Sequence, residues 1–348
     1  MFSKDIEQAG LVGENLNAQV IFLAMVSART LQPLNVTVQG ASSGGKNYLI
    51  EMVRRFMPPE MIKNLTGMTP KVLMHSRPDE YKHKAVIIAE HEGAAAADYP
   101  IRVMQSEGFI EWEYVDSGSP GGIKKKSNKV HGPAAFIEAT TRTMLHPENE
   151  TRLLFAHIDE SAEQTRRVID LQSRCAAGLQ DNTASNITHS EWQEFIRTLR
   201  DSKIVVPYAS KVGAAFPAQE VRSRRDFPKL LGLLMVSAFL HQQCRDRDSS
   251  GAIVASTLDY EYVLPLFRAS YDSGPNAELR KLLIVAKEFP PQFKVEQLVK
   301  VLQWGQTKTY EILGRAVERG FITKDERGKY TFVSELPSSK MELPERIG

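Results

Sequence analysis

The sequence predicts an α/β fold, with a parallel core sheet carrying a glycine-rich phosphate loop, then a helical region, then a small C-terminal unit of three helices and a β-hairpin. Three observations carry this expectation. Short apolar runs alternate with helix-periodic stretches from Gly13 to about Asp159, the pattern of strands joined by crossover helices. One junction reads Gly40-Ala41-Ser42-Ser43-Gly44-Gly45-Lys46, between an apolar strand and an amphipathic helix. From Asn276 to Val333, three helical patterns precede two short strands around a turn at Asp325-Glu326-Arg327-Gly328.

The first element is a helix from Gly13 to Arg29, with Leu16, Val20, Ile21, Leu23, Ala24 and Val26 at helical spacing and Pro33 beyond to stop it. A strand from Leu34 to Gln39 follows, and after the glycine-rich loop an amphipathic helix runs to about Met57. Lys84 to Gly93, K-A-V-I-I-A-E-H-E-G, reads as a buried strand ending in acids. Phe109 to Val115 alternates as a strand, Ser117 to Gly122 turns, and Ile123 to Val130 returns. Ala134 to Thr141 is a further apolar strand, ending in hydroxyls.

Beyond Asp170 the pattern is more helical and polar. A second apolar helix runs from about Phe227 to Gln242, and this region is expected to form a helical lid. The resulting division is an α/β core over 1–169, a lid over 170–272, a C-terminal unit over 273–335 and a flexible tail over 336–348. Internal repeats are absent.

Composition narrows the function classes. A chain of 348 residues exceeds one ordinary hydrophobic core, and 42% apolar with 25% charged residues excludes general disorder. The formal charge of +2 does not mark a nucleic-acid partner, so any DNA contact must come from local basic clusters. Cys175 and Cys244 form no CxxC or Cys/His grouping able to hold structural zinc. A reducing, cytoplasmic setting is expected, without secretion or membrane insertion, because the most apolar stretches are too short to span a bilayer.

Residues 40–46 satisfy G-x-x-x-x-G-K in the strand-to-helix context that gives the motif meaning. Gly40, Ser43, Gly44 and Gly45 let backbone N–H groups curl round phosphates, the next helix presents its N-terminus, and Lys46 reaches the outer phosphates. ATP with Mg²⁺ is the expected ligand. Asn47 stands where the motif has Ser or Thr for the metal, and its amide oxygen is an unusual substitute. Glu90 is the candidate for polarising the attacking water and for a metal contact, either alone or sharing these roles with Glu92. The hydroxyls of Thr141 and Thr140 are candidates to sense the γ-phosphate or to position the water.

The hairpin's returning arm carries Lys124, Lys125, Lys126 and Lys129, which suit sequence-independent contacts with a DNA backbone. In the C-terminal unit, helices are expected over Asn276 to Phe289, Val295 to Leu302 and Thr307 to Arg319, with Tyr310, Leu313 and Val317 inward, and strands over 321–324 and 329–333. That pattern reads as a winged helix-turn-helix. Lys308, Arg315 and Arg319 on its third helix, with Lys324, Arg327 and Lys329 on its wing, are candidates for duplex contact, although Glu311 and Glu318 dilute the positive face.

The order of phosphate loop, acid-ended strand, hairpin, hydroxyl-ended strand and H-P-E-N-E-T-R resembles the AAA+ ATPases with a hairpin before sensor 1. That group contains the minichromosome-maintenance helicases and helicases of mobile elements, and the resemblance covers roughly Leu11 to Gln242. It implies a homo-oligomeric, hexameric ring whose nucleotide sites close between subunits, with single-stranded DNA in its pore and duplex at the winged helix. It also implies an arginine finger at Arg152, sensor 1 at Thr140 or Thr141, and a sensor-2 arginine at Arg225 in preference to Arg222 or Arg224. The implied activity is ATP-driven DNA translocation or unwinding in replication of a mobile element or phage. The competing expectation is an ATP-switched DNA-binding initiation or helicase-loading factor with weak hydrolysis. No G-A-F-T-G-A run is present, which argues against a transcriptional-activator ATPase. No primase or metal-binding module precedes the core, so the chain is expected to be the motor part of a larger system.

Overall fold

The computed structural model describes residues 1–90, 93–116, 124–142, 147–179, 185–218, 221–272, 276–318, 320–334 and 343–347. Two compact units are present, one comprising Met1–Tyr271 with Leu343–Gly348, the other Asp272–Glu342.

Unit 1 opens with α1 (Phe2–Gln8) and α2 (Asn15–Ser27), then β1 (Asn35–Gln39), α3 (Lys46–Arg54), β2 (Ile62–Leu65), α4 (Pro70–His75), β3 (Lys84–Ile88) and α5 (Asp98–Glu107). The hairpin strands β4 (Phe109–Asp116) and β5 (Lys124–His131) follow, then β6 (Ala134–Thr140), α6 (Pro147–Glu150) and β7 (Leu153–His157). A mainly helical part completes the unit: α7 (Ala162–Ala176), α8 (Ser185–Thr198), β8 (Ile204–Val205), α9 (Ala209–Ala215), α10 (Ser223–Leu240), β9 (Ile253–Val254) and α11 (Thr257–Asp272). Unit 2 holds α12 (Asn276–Lys287), α13 (Val295–Leu302), α14 (Gln306–Glu318) and the hairpin β10 (Ile322–Lys324) and β11 (Tyr330–Phe332).

The core sheet is five-stranded and parallel, in the order β2-β3-β6-β1-β7. Strand β1 is buried along its whole length, as expected of a strand with neighbours on both edges and helices over its faces. Register aligns the C-terminal ends of three strands, Gln39 being level with Thr140 on one side and His157 on the other. Helix α2 is buried from Ala18 through Ser27, so it is apolar nearly all round rather than along one stripe. Beside β3 and β6, Leu73, Tyr81, Ile101, Met104, Ile110, Val130 and Phe136 share a core that roots the hairpin on α4 and α5.

Unit 2 has its own core, including Leu279, Leu282, Leu283, Phe293, Leu298, Ile312, Leu313, Ile322 and Tyr330. Phe293 bridges Tyr330 and extends the hairpin's pairing by one step. Tyr310, expected inward on the third helix, is 47% exposed, and the fully buried position one residue earlier is Thr309. The tail expected to be flexible is placed in part: Leu343 and Ile347 are buried against unit 1, while 335–342 lie outside the described residues. Among the described residues no helix is long and apolar enough to cross a membrane.

Candidate functional site

The loop between β1 and α3 follows the sequence expectation. Gly45 is the N-cap of α3 with φ +91°, a left-handed conformation costly for any residue with a Cβ. Ser43 also has positive φ, +65°, although it is not glycine. Successive right- and left-handed residues turn backbone N–H groups to one side, and α3 adds its free N-terminal donors. Gly40 is required by a close approach: a Cβ there would lie 3.1 Å from Ile158 Cβ and 3.2 Å from Glu160 Oε1. Lys46 Nζ donates to the carbonyls of Gly40 at 2.9 Å and Ala41 at 2.6 Å, lying across the loop it is expected to serve. Asn47 is exposed on the first turn of α3.

The neighbouring strands bring the other candidates to the same edge. Ile88 is paired in register with Glu138, two residues short of Thr140. Continued for two residues, that register sets exposed Glu90 level with Thr140, two strands from β1 and thus about 10 Å from the loop in the sheet direction. Thr140 is buried, its Oγ1 accepting the Arg142 N–H at 3.1 Å, whereas Thr141 is exposed. Glu92 lies outside the described residues.

This donor set suits a nucleotide triphosphate, with backbone donors and one lysine for the phosphates. For Mg²⁺ it offers the amide of Asn47 and the carboxylate of Glu90, few protein ligands, as befits an ion held mainly by phosphates and water. Among the described residues no group of three or more His, Cys, Asp or Glu side chains could hold a metal by itself.

Sequence reasoning missed the segment after β7. Glu160 accepts the Ala41 backbone N–H, tying this segment to the phosphate loop. Asp159 N–H donates to Glu14 Oε1 at 2.9 Å, and Asn17 Nδ2 donates to Glu14 Oε2 at 2.6 Å and to the His157 carbonyl at 2.8 Å. Burial raises the Glu14 carboxyl above its ordinary value, against these hydrogen bonds. Hydrogen bonds from Ser161 lower that of Asp159. The available signal was Asp159-Glu160-Ser161 directly after the apolar run Leu153 to Ile158, acids at a strand's C-terminal end.

The two candidate arginines lie elsewhere. Arg152 precedes β7 at the opposite end of the sheet, where Asn35 is level with Leu153. Arg152 itself is thus level with Leu34, six strand positions from Gly40 or about 20 Å, beyond an arginine's reach. Arg152 Nε donates to Ser106 Oγ at 3.2 Å and its Nη1 to the Glu148 carbonyl at 2.6 Å. Burial and the neighbouring Arg225 both press its pKa downward.

Arg225, the sensor-2 candidate at the start of the long apolar helix, lies beside Arg152: its Nη1 donates to Thr151 Oγ1 at 2.9 Å. The cause is the packing of α10, whose Gly232 lies against Leu34 just before β1, bringing the start of that helix to the N-terminal end of the strands. One turn on, Asp226 is 2% exposed and pairs with Arg222 at 2.9 Å and Lys229 at 2.7 Å. Lys229 also donates to the Leu153 carbonyl at 3.0 Å, which fixes α10 to β7.

The hairpin β4–β5 is antiparallel and anchored midway along its length, where Asn128 Nδ2 donates to the carbonyls of Met74 and Ser76. Its lysines are less uniformly basic than expected. Lys125 pairs with Glu113 at 2.6 Å, and Lys129 lies 3.8 Å from Glu111 and 4.0 Å from the centre of the Phe109 ring. Lys126 is exposed and paired in register with Tyr114. The turn from Ser117 to Ile123 and the side chain of Lys124 lie outside the described residues.

In unit 2, Arg315 is 8% exposed, so it does not stand on the open face of α14 as expected. It lies three residues after Ile312, on the stripe buried with Leu313 and Ala316. Lys308 pairs with Glu278 and lies over the Trp304 ring, and Lys329 Nζ is 3.2 Å from Gln292 Oε1. Lys324 and Arg327 are exposed, and Arg319 lies outside the described residues.

No protein-family model matches the chain, and no curated protein matches it by sequence. Solved structures do match. A RuvB mutant of Thermotoga maritima is similar over 94% of this chain and 95% of its own, with 16% identity and a TM-score of 0.33. The T. maritima RuvB Holliday junction branch migration motor gives 14% identity over 93% and 92%, with a TM-score of 0.30. An SCCmec type IV Cch, described as an active helicase, gives 10% identity over 94% of this chain and 69% of its own, with a TM-score of 0.39.

Proposed function

We propose that this chain is an ATP-driven DNA motor of the AAA+ type, acting as a ring of identical subunits, with a role in replicating a mobile element or phage. The observation that carries the reading is the separation of phosphate loop and arginines. Gly40–Asn47 lies at the C-terminal edge of the sheet, and Arg152 with Arg225 lies about 20 Å away at the N-terminal edge. Arginines so placed complete a nucleotide site only on a neighbouring copy. In this arrangement Lys46 and the loop N–H groups hold the phosphates, Glu90 orients the attacking water, and Thr140 or Thr141 senses the γ-phosphate. Mg²⁺ neutralises developing charge, with Asn47 and Glu90 as its protein contacts. The neighbour's Arg152 and Arg225 stabilise the transferring phosphoryl group.

The hairpin supports DNA as the substrate. Its exposed pairs Lys125–Glu113 and Lys129–Glu111 are weak in water and can exchange for contacts with backbone phosphates. Unit 2 supports it through a winged helix-turn-helix arrangement that keeps Lys308, Lys324, Arg327 and Lys329 as candidate duplex contacts without Arg315.

ATPase activity of the purified chain, measured with and without single-stranded DNA, tests the reading. Stimulation by DNA that is lost in Lys46→Ala is expected. Hydrolysis indifferent to DNA would remove the motor. It would favour the second reading, an ATP-switched DNA-binding factor with weak turnover, which the exposed Asn47 in the usual Ser/Thr position supports.

A further inference from the structure

The end of the chain returns to unit 1 and lies along α11. Leu343 and Ile347 are 3% and 9% exposed, and Pro344, Glu345 and Arg346 between them are exposed. Two side chains of α11 hold the backbone of this segment: Tyr260 donates to the Pro344 carbonyl at 2.7 Å, and Arg268 Nη2 to the Leu343 carbonyl at 2.6 Å. Arg268 Nη1 also pairs with Glu345, and Arg346 Nε lies 3.6 Å from Glu261 Oε1. Tyr260 and Arg268 are eight residues apart, slightly more than two helical turns, and so share one face of α11. The contacts are specific in kind. Acid meets base and base meets acid in fixed order, between two aliphatic anchors.

We propose that this face of α11 is a peptide-binding groove for segments of the form aliphatic-Pro-acid-base-aliphatic, and that the chain's own C-terminal segment is its releasable ligand. Unit 2 leaves unit 1 at Tyr271 and rejoins it at Leu343. Docking therefore tethers unit 2 at both ends, and release leaves one covalent connection. The segment is short and its ion pairs are exposed, Glu345 and Arg346 being 78% and 85% accessible. Such a peptide binds weakly as a free ligand and holds mainly through effective concentration. The inference does not depend on the motor reading, because it concerns no residue of the nucleotide site.

The test uses the full-length chain and a fluorescent peptide of sequence Leu-Pro-Glu-Arg-Ile-Gly. Wild-type protein should bind the peptide poorly, because its own tail fills the groove. Glu345→Arg, and separately Leu343→Ser with Ile347→Ser, should release the tail and tighten peptide binding at least ~10-fold. Arg268→Glu should bind the natural peptide no better than wild type and should prefer a peptide with Arg at the Glu345 position. Small-angle scattering should show a wider distribution of dimensions for Glu345→Arg, with basal ATPase unchanged. Equal peptide binding by wild type and both tail variants would overturn the groove. Unchanged scattering in a variant that does bind the peptide would overturn the tether.

Discussion

The carboxylate of Glu160, beyond the end of β7, accepts the backbone N–H of Ala41, the second residue of the phosphate loop. The contact holds the loop in place and also sets a negative charge beside the proposed polyphosphate site. Glu160→Gln keeps an acceptor and removes the charge. ATP affinity should rise roughly three- to ten-fold at low salt, the effect expected of one partly screened charge, and the gain should shrink as salt is added. Titration with a fluorescent ATP analogue at two ionic strengths checks this. A loss of affinity would mean that the carboxylate organises the loop and does not oppose the ligand.

Lys46→Ala should reduce kcat/KM for ATP at least ~100-fold, as for loss of a group that stabilises developing charge. Its thermal midpoint should stay within about 2 °C of wild type, because Lys46 bonds only to carbonyls of its own loop. Scanning calorimetry beside the steady-state assay separates a site defect from unfolding.

The buried cluster at the start of α10 predicts a pH dependence. Burial, only partly offset by Asp226, pushes the Lys229 ammonium down from 10.5 to about 8. The folded chain therefore binds this proton more weakly than the unfolded chain does. Its contribution disfavours folding at every pH below about 8 and fades as pH rises towards about 10.5, so it adds stability with rising pH across that window. Lys229→Met should lack this rising component, a difference on the order of 1–3 kcal/mol between pH 7.5 and pH 10. Urea midpoints across this range measure it, and parallel slopes for the two proteins would refute it.

Much of the architecture was legible because it rests on local chemistry. The strand read over Leu34 to Gln39 forms as Asn35–Gln39, Gly45 announces a positive φ, and Val295 to Leu302 is a helix with the boundaries its periodicity gives. What stayed hidden depends on long-range packing. Arg225 reads as the start of an apolar helix, but which end of the sheet that start lies on depends on the seating of Gly232 on Leu34. Arg315 reads as a surface cation until the stripe of α14 that faces the core is known. The tail looked flexible because its polar composition hides two aliphatic anchors, Leu343 and Ile347.

The hairpin prediction follows from its ion pairs. Replacing Lys125, Lys126 and Lys129 by alanine should weaken single-strand binding and make the log-log salt slope shallower by up to ~0.7 per lost contact. Glu111→Gln with Glu113→Gln should do the opposite, tightening binding because two competing anions are gone. Basal ATPase should survive both changes. If the glutamine variant binds DNA no better than wild type in anisotropy measurements, the lysines are not in contact with the strand.

The last prediction turns on the shared position of Arg152 and Arg225, and it distinguishes two ways in which an arginine can serve a nucleotide. An arginine that closes the site of its own chain, when lost, damages the same site as loss of Lys46 does. Mixing two such variants can restore nothing. In the proposed ring, arginines about 20 Å from their own phosphate loop act on a neighbour, so their loss and the loss of Lys46 fall on different faces of each subunit. Arg152→Ala and Arg225→Ala should each bind ATP and hydrolyse it at least ~100-fold more slowly than wild type. Mixing either with Lys46→Ala protein should recover measurable turnover, through interfaces that pair an intact loop with intact arginines. A mixture of Arg152→Ala with Arg225→Ala should recover none, because every interface then lacks one of the two guanidinium groups. Recovery in that last mixture would mean that the two arginines serve different sites, and absence of recovery with Lys46→Ala would return Arg225, Arg152 or both to a structural role at the start of β7.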